Sequence, residues 1–246
     1  MIKYLVILTK IIIITLIALL FSSCKYNGNW GDGIDGTGNV TVEKREIKEN
    51  FTKVKVNRGL EVIVAQSDVT GVEVEADQNL LEHISTKVEN GTLIITSDEN
   101  IESAETLVVR VQMPVVEGLT STSGSHIATN LTLKGKTIRL DSSSGSQIEA
   151  ALAYDEVRSN SSSGSSITLS GKALNLFTDA SSGSEITAEA LEVNRVESDA
   201  SSGSTTTVNA LQELTATASS GSSIESVTKP TIINKEESSG GSVSTK

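Results

Sequence analysis

Through the second half of this 246-residue chain the apolar residues keep time with a glycine. Gly124, Gly145, Gly164, Gly183, Gly203, Gly221 and Gly240 each sit in a phrase such as SSGSQI, at spacings of 21, 19, 19, 20, 18 and 19 residues. Seven residues before each, from the second onward, lie Ile138, Val157, Leu176, Val196, Leu214 and Ile233. Three residues after come Ile127, Ile148, Ile167, Ile186, Thr206, Ile224 and Val243. Five after come Thr129, Ala150, Leu169, Ala188, Val208 and Ser226. A linker has no reason to hold such a period, whereas a solenoid must. Inward positions two apart mean strands, so each unit is expected to carry about three short strand-like pieces separated by turns. The period is too short for paired helices and lacks the Leu/Asn frame of a leucine-rich repeat. The pattern predicts an all-β protein, a parallel β-helix or β-solenoid of ~19-residue coils stacked about 4.8 Å apart. Six such periods make a rod on the order of 30 Å long. Ser-Gly-Ser is then the corner of each coil, with Gly supplying positive φ and Ser hydroxyls bonding the turn backbone in surface ladders.

Before residue 119 this clock gives way to plain alternation. Asn39–Val42, Thr52–Val56, Leu60–Ala65, Val72–Ala76, Ile84–Glu89, Thr92–Thr96 and Leu107–Met113 read as strands. Asn90-Gly91 is a type I′ hairpin signal, and residues 78–83 suit one helical turn. Gly59, with Val54 before it and Val62 and Val64 after it, echoes the later phase. Residues 38–118 are therefore expected to form an irregular first coil with insertions, capping the end of the solenoid of residues 119–246.

The first 23 residues stand apart. Lys3 and Lys10 precede the apolar run Ile11–Phe21, and Ser22 and Ser23 lead into Cys24, the only cysteine. This is the plan of a signal peptide, and its apolar run is shorter than the ~20 residues a membrane span needs. FSSC resembles a bacterial lipobox, with Phe21 where Leu is usual, so the mature chain is expected to begin at a lipidated Cys24. Residues 24–37, rich in Gly, Asn and Asp, read as a flexible tether. Disulfides cannot hold the fold together with one cysteine. Losing Lys3 and Lys10 takes the net charge from −11 to −13 (−11 − 2), which repels nucleic acid and anionic lipid surfaces. Membrane contact is therefore expected through the lipid alone.

Chemistry is sparse. Only His83 and His126 could serve as histidine bases or ligands, and no Walker loop, Gly-x-Ser-x-Gly elbow or His-Glu-x-x-His motif occurs. Aromatics make up 3% of the chain, too few to line a polysaccharide groove. No catalytic residue, metal or cofactor is expected. One column does carry charge: four residues before successive glycines lie Asp141, Asn160, Asp179 and Asp199. Stacked, such side chains would repel or share a cation. The simpler expectation is that each caps its own turn and points into water.

The stretches GTGNVTVEKREI, FTKVKVNRGLEVIVAQ and EVEADQNLLEHISTKVENGTLIIT, followed by the SGS-x-I repeats, carry a resemblance. Over roughly residues 38–228 the chain resembles the "putative autotransporter adhesin, head GIN domain" family. The resemblance implies a β-solenoid in an exported, often lipidated protein of Bacteroidetes-type bacteria, and brings no catalytic residue set. The expected function is a lipid-anchored, non-catalytic interaction, adhesin-like or scaffold protein of the cell envelope, probed by glycan or envelope-protein partners at the outer membrane. The alternative is a carbohydrate-binding or polysaccharide-processing β-helix, and a third possibility is a rod that assembles end to end.

Overall fold

The computed structural model describes residues 33–246, so Cys24, the leader and the start of the tether lie outside the described residues. Ile34–Lys246 is one compact unit. It is a β-solenoid: Leu133–Ser143, Gln147–Ser162, Ser166–Ala180, Glu185–Ala200 and Thr205–Ala218 stack in parallel, each on the next. The expectation of three short pieces per coil is corrected here. Each central coil is a single strand of 14 to 16 residues that bends without breaking its ladder. Because each neighbour bends at the same place, parallel pairing continues on both sides of the bend, up to the Ser-Gly turn.

The apolar columns form the core. Ile138, Val157, Leu176, Val196 and Leu214 are buried, as are Ile127, Ile148, Ile167, Ile186, Ile224 and Val243. Between them runs an inward polar column, Ser159, Thr178 and Ser198, in which the Thr178 hydroxyl donates to Ser198 Oγ at 2.8 Å. Unequal coil lengths are absorbed in one place. Register slips between Thr168 and Ser170, and again between Ala188 and Arg195, while the positions flanking the Ser-Gly corner stay paired rung to rung. The 20- and 18-residue spacings thus bulge away from the corner.

The corners are two-residue turns. In each, the residue before the glycine also has positive φ, from 48° at Ser239 to 58° at Ser144, and Ser165 N–H closes its turn on the Ser162 carbonyl at 3.3 Å. Two positive φ values and this closure define a type I′ turn. The serine after the glycine is buried, so the expected surface ladder of Ser is half interior. Ser165 Oγ accepts the Ser162 N–H at 3.1 Å and offers its proton to the Ser142 carbonyl of the preceding coil at 2.8 Å. Corner glycines tie successive turns together: Gly145 N–H donates to the Ser163 carbonyl, Gly164 to Ser182 and Gly183 to Ser202.

At the N-terminal end Lys53–Val56 and Glu61–Gln66 lie under Gly118–Thr122 and His126–Thr129, with Arg58-Gly59 as their corner, so this region is an irregular first coil. Asn90 and Gly91, both with positive φ, turn the Ile84–Glu89/Thr92–Ser97 hairpin. The helical turn is a short 3-10 segment, Leu81–His83. Beyond it, Gly71–Asp77 pairs antiparallel with both Leu107–Met113 and Val40–Arg45. The tether expected over residues 24–37 joins the fold from Ile34: Ile34–Asp35 pairs with Ile101–Ser103, and buried Asp77 accepts the N–H groups of Gly38 and Glu105. At the other end Ile232–Glu237 and Ser242–Thr245 form a last coil, paired in parallel with Thr205–Ala218 and Ser223–Ser226.

Candidate functional site

The wall that precedes each Ser-Gly corner presents three outward-facing columns, part exposed and part half-buried. Thr120, Asp141, Asn160, Asp179, Asp199, Thr217 and Glu236 are consecutive register partners. Two residues earlier run Arg139, Arg158, Phe177, Glu197 and Thr215, and two earlier again Thr137, Glu156, Asn175, Arg195 and Glu213. Parallel pairing holds each column at about 4.8 Å per rung.

The four predicted residues therefore share one face, but not in the way expected. Asp141 takes the Arg139 Nε–H at 2.8 Å and the Asn160 Nδ2–H at 2.7 Å, a cross-rung pair in place of a turn cap. Glu156 takes Arg158 at 2.8 Å, Glu213 lies 3.5 Å from Arg195, and the Arg158 guanidinium sits 4.3 Å above the Phe177 ring centroid. Asp179 and Asp199 are direct register partners, with Glu197 two residues before Asp199. A shallow groove of about 180 Å³ is lined by Arg158, Phe177, Asp179, Glu197 and Asp199, and a second, of about 290 Å³, by Asp141, Asn160, Asp179 and the serines beside them. Among the described residues, no three His, Cys, Asp or Glu side chains are grouped to hold a metal ion.

The column with Arg139, Arg158, Phe177 and Glu197 was overlooked in the sequence, although it lies six residues before each glycine. Its signal was weak because the residue type passes from Arg to Phe to Glu along the column. His126 is half-buried between Glu61 and Gln147 of its column, with Nε2 3.8 Å from Glu149 Oε1. His83 Nδ1 lies 3.0 Å from Asp98 Oδ1. Tyr154 is interior: its hydroxyl donates to the Val116 carbonyl at 2.7 Å, and burial, with Glu117 second, pushes its pKa up to about 12. Gly135 makes room for the ring, since a Cβ there would lie 2.5 Å from it.

This architecture defines a class, an all-β solenoid carrying a polar, ladder-like wall. The sequence profile of the "Putative auto-transporter adhesin, head GIN domain" family matches residues 50–230, and the chain belongs to that family. A putative adhesin from Bacteroides fragilis has the same fold at a TM-score of 0.81 and 17% identity, over 87% of this chain and 100% of that one. A putative adhesin from Parabacteroides distasonis has it at 0.69 and 18%, over 87% and 100%. A structure from the same species described as a putative lipid binding protein has it at 0.68 and 17%, over 87% and 99%. No curated protein matches the chain.

Proposed function

We propose that this chain is a lipid-anchored, non-catalytic, adhesin-like interaction protein of the cell envelope, and that its contact surface is the wall centred on Asp179, Glu197 and Asp199. The register of that wall carries the reading. A partner meets carboxylates, an amide and guanidinium groups at fixed intervals along a stiff face, instead of one enclosed pocket. Asp141, Glu156 and Glu213 are matched by arginines of the same wall, which leaves the excess negative charge around Asp179, Glu197 and Asp199. A protein surface with regularly placed Lys or Arg is the complement of such a strip. The family's adhesin description agrees with this.

Carbohydrate recognition has less support. Phe177 is the aromatic residue of this wall, and one face of its ring is already occupied by Arg158, so it does not offer that face to a sugar. The test is retention of labelled protein on biotinylated envelope fractions and on a glycan array. Charge reversal at Asp179 and Asp199 is expected to cut envelope-protein retention about tenfold or more. Unchanged retention would remove the wall from the proposal, and array binding with product release would replace it with an enzyme. Anchoring is tested separately: Cys24→Ala is expected to abolish labelling by fatty acid and to release the protein from membranes.

A further inference from the structure

We infer that the last coil carries a built-in stop, the Lys235–Glu237 pair, which keeps a second copy of this chain from stacking on the open end of the solenoid. A β-solenoid is a periodic object, so its final coil offers a strand edge and an apolar lumen to whatever repeats the pattern. Lys235 and Glu237 occupy the register positions of Ala216 and Ala218, which are buried inward residues one coil earlier. The last coil thus sets two charges at inward positions that carry only uncharged side chains in the preceding coils, Leu140, Ser159, Thr178, Ser198 and Ala216 in the column of Lys235.

Their partners make the assignment specific. Lys235 Nζ lies 3.3 Å from Glu237 Oε1, and the same carboxylate oxygen accepts the Val243 N–H at 2.7 Å. Lys235 Nζ also donates to the Val243 carbonyl at 3.4 Å. Val243 closes the inward column that includes Ile127 and Ile224, and the neighbouring Ser242 and Lys246 N–H groups donate back to Ser222 and Ser226 of the preceding coil. The Val243 groups are instead taken by the pair, and these are the N–H and C=O that a further parallel strand would use. The pair blocks the edge twice: it consumes hydrogen-bonding groups, and it puts charge where a new coil would need apolar contact. Glu237 is held below the usual carboxylate range, first by the Val243 N–H and then by Lys235, in keeping with a formed pair.

The opposite end is closed in a related way. Glu43 and Arg45 are register partners of buried Val74 and Val72, lie 3.3 Å apart, and Arg45 reaches the Leu81 carbonyl at 2.6 Å. There the pair also holds the 3-10 turn that brings Leu80 and Leu81 over the core. The C-terminal coil has no such cover among the described residues, which leaves the Lys235–Glu237 pair as the barrier. This inference does not depend on the anchoring or partner proposed above.

The test is sedimentation velocity on residues 25–246 over a wide concentration range, comparing the native chain with Lys235→Val/Glu237→Val. The native chain is expected to stay monomeric, and the double variant to self-associate at least about tenfold more tightly. The control is Asn234→Val/Glu236→Val, equally apolar but facing outward. Equal association of the control would overturn the inference, since exposed apolar surface alone would then explain it. A monomeric double variant, or a native chain that already forms end-to-end oligomers, would also overturn it. The milder Lys235→Ala/Glu237→Ala variant, checked for native circular dichroism, decides the matter if the valine variant fails to fold.

Discussion

At the scale of single residues the corner is the most informative part of the molecule. Glycine takes the second positive-φ position, but the first is filled by serine, a residue that pays roughly 1–3 kcal/mol to sit there. The strain persists because the next serine binds the turn from inside. Ser165 takes the part-buried Ser162 N–H and makes a buried bond to a carbonyl of the previous coil, so Ser165→Ala is expected to cost about 1–3 kcal/mol in urea unfolding. A loss no larger than that of an exposed serine such as Ser144 would show that the internal ladder carries no stability. Tyr154 gives a pH signature. Its folded pKa of about 12 lies above the ordinary 10, so the folded state keeps a proton that the unfolded chain releases. The phenol's contribution is complete below pH 10 and is lost as pH rises from about 10 to 12. The unfolding midpoint of the native chain should therefore fall more steeply across that window than that of Tyr154→Phe; parallel curves would exclude the phenol as the cause.

At the scale of elements, the coil was legible in the sequence because inward residues must repeat if the coils are to stack. Ile148, Ile167 and Ile186 fall in one column by their spacing alone. The strands of residues 38–118 were legible for the same reason, as alternation. What escaped was anything decided between neighbouring rungs. The Asp141–Arg139–Asn160 contact joins two coils and two columns, and no single repeat contains it. The double positive φ escaped because serine rarely adopts it, and the burial of Ser146 and Ser165 because a lone repeat offers them no carbonyl above or below. Length variation also reads differently once seen in space: it is confined to the side away from the corner. Deleting Ala190 should therefore be tolerated, with a single cooperative transition retained. Inserting one residue between Asp179 and Ala180 should flip the wall's side chains through its surface and abolish cooperative unfolding. Equal tolerance of the two changes, judged by thermal melts, would refute this division of the coil.

For the whole molecule, the ladder hydrogen bonds run along the stacking axis, while the chain circles around it. Load applied between the N-terminal cap and the last coil therefore meets the coils in series. Coils should peel away one at a time, each releasing about 65 Å of extended chain for ~19 residues. Single-molecule stretching should show a sawtooth of that spacing, and one all-or-none rupture would contradict it. The wall enters the mechanics as well. A partner gripping Asp141, Asn160, Asp179 and Asp199 together spans four coils, and so becomes a strap across the joints that would otherwise part first. Occupied, this rod would be tougher under tension than when bare, and detachment of the partner would be followed by lengthening of the molecule.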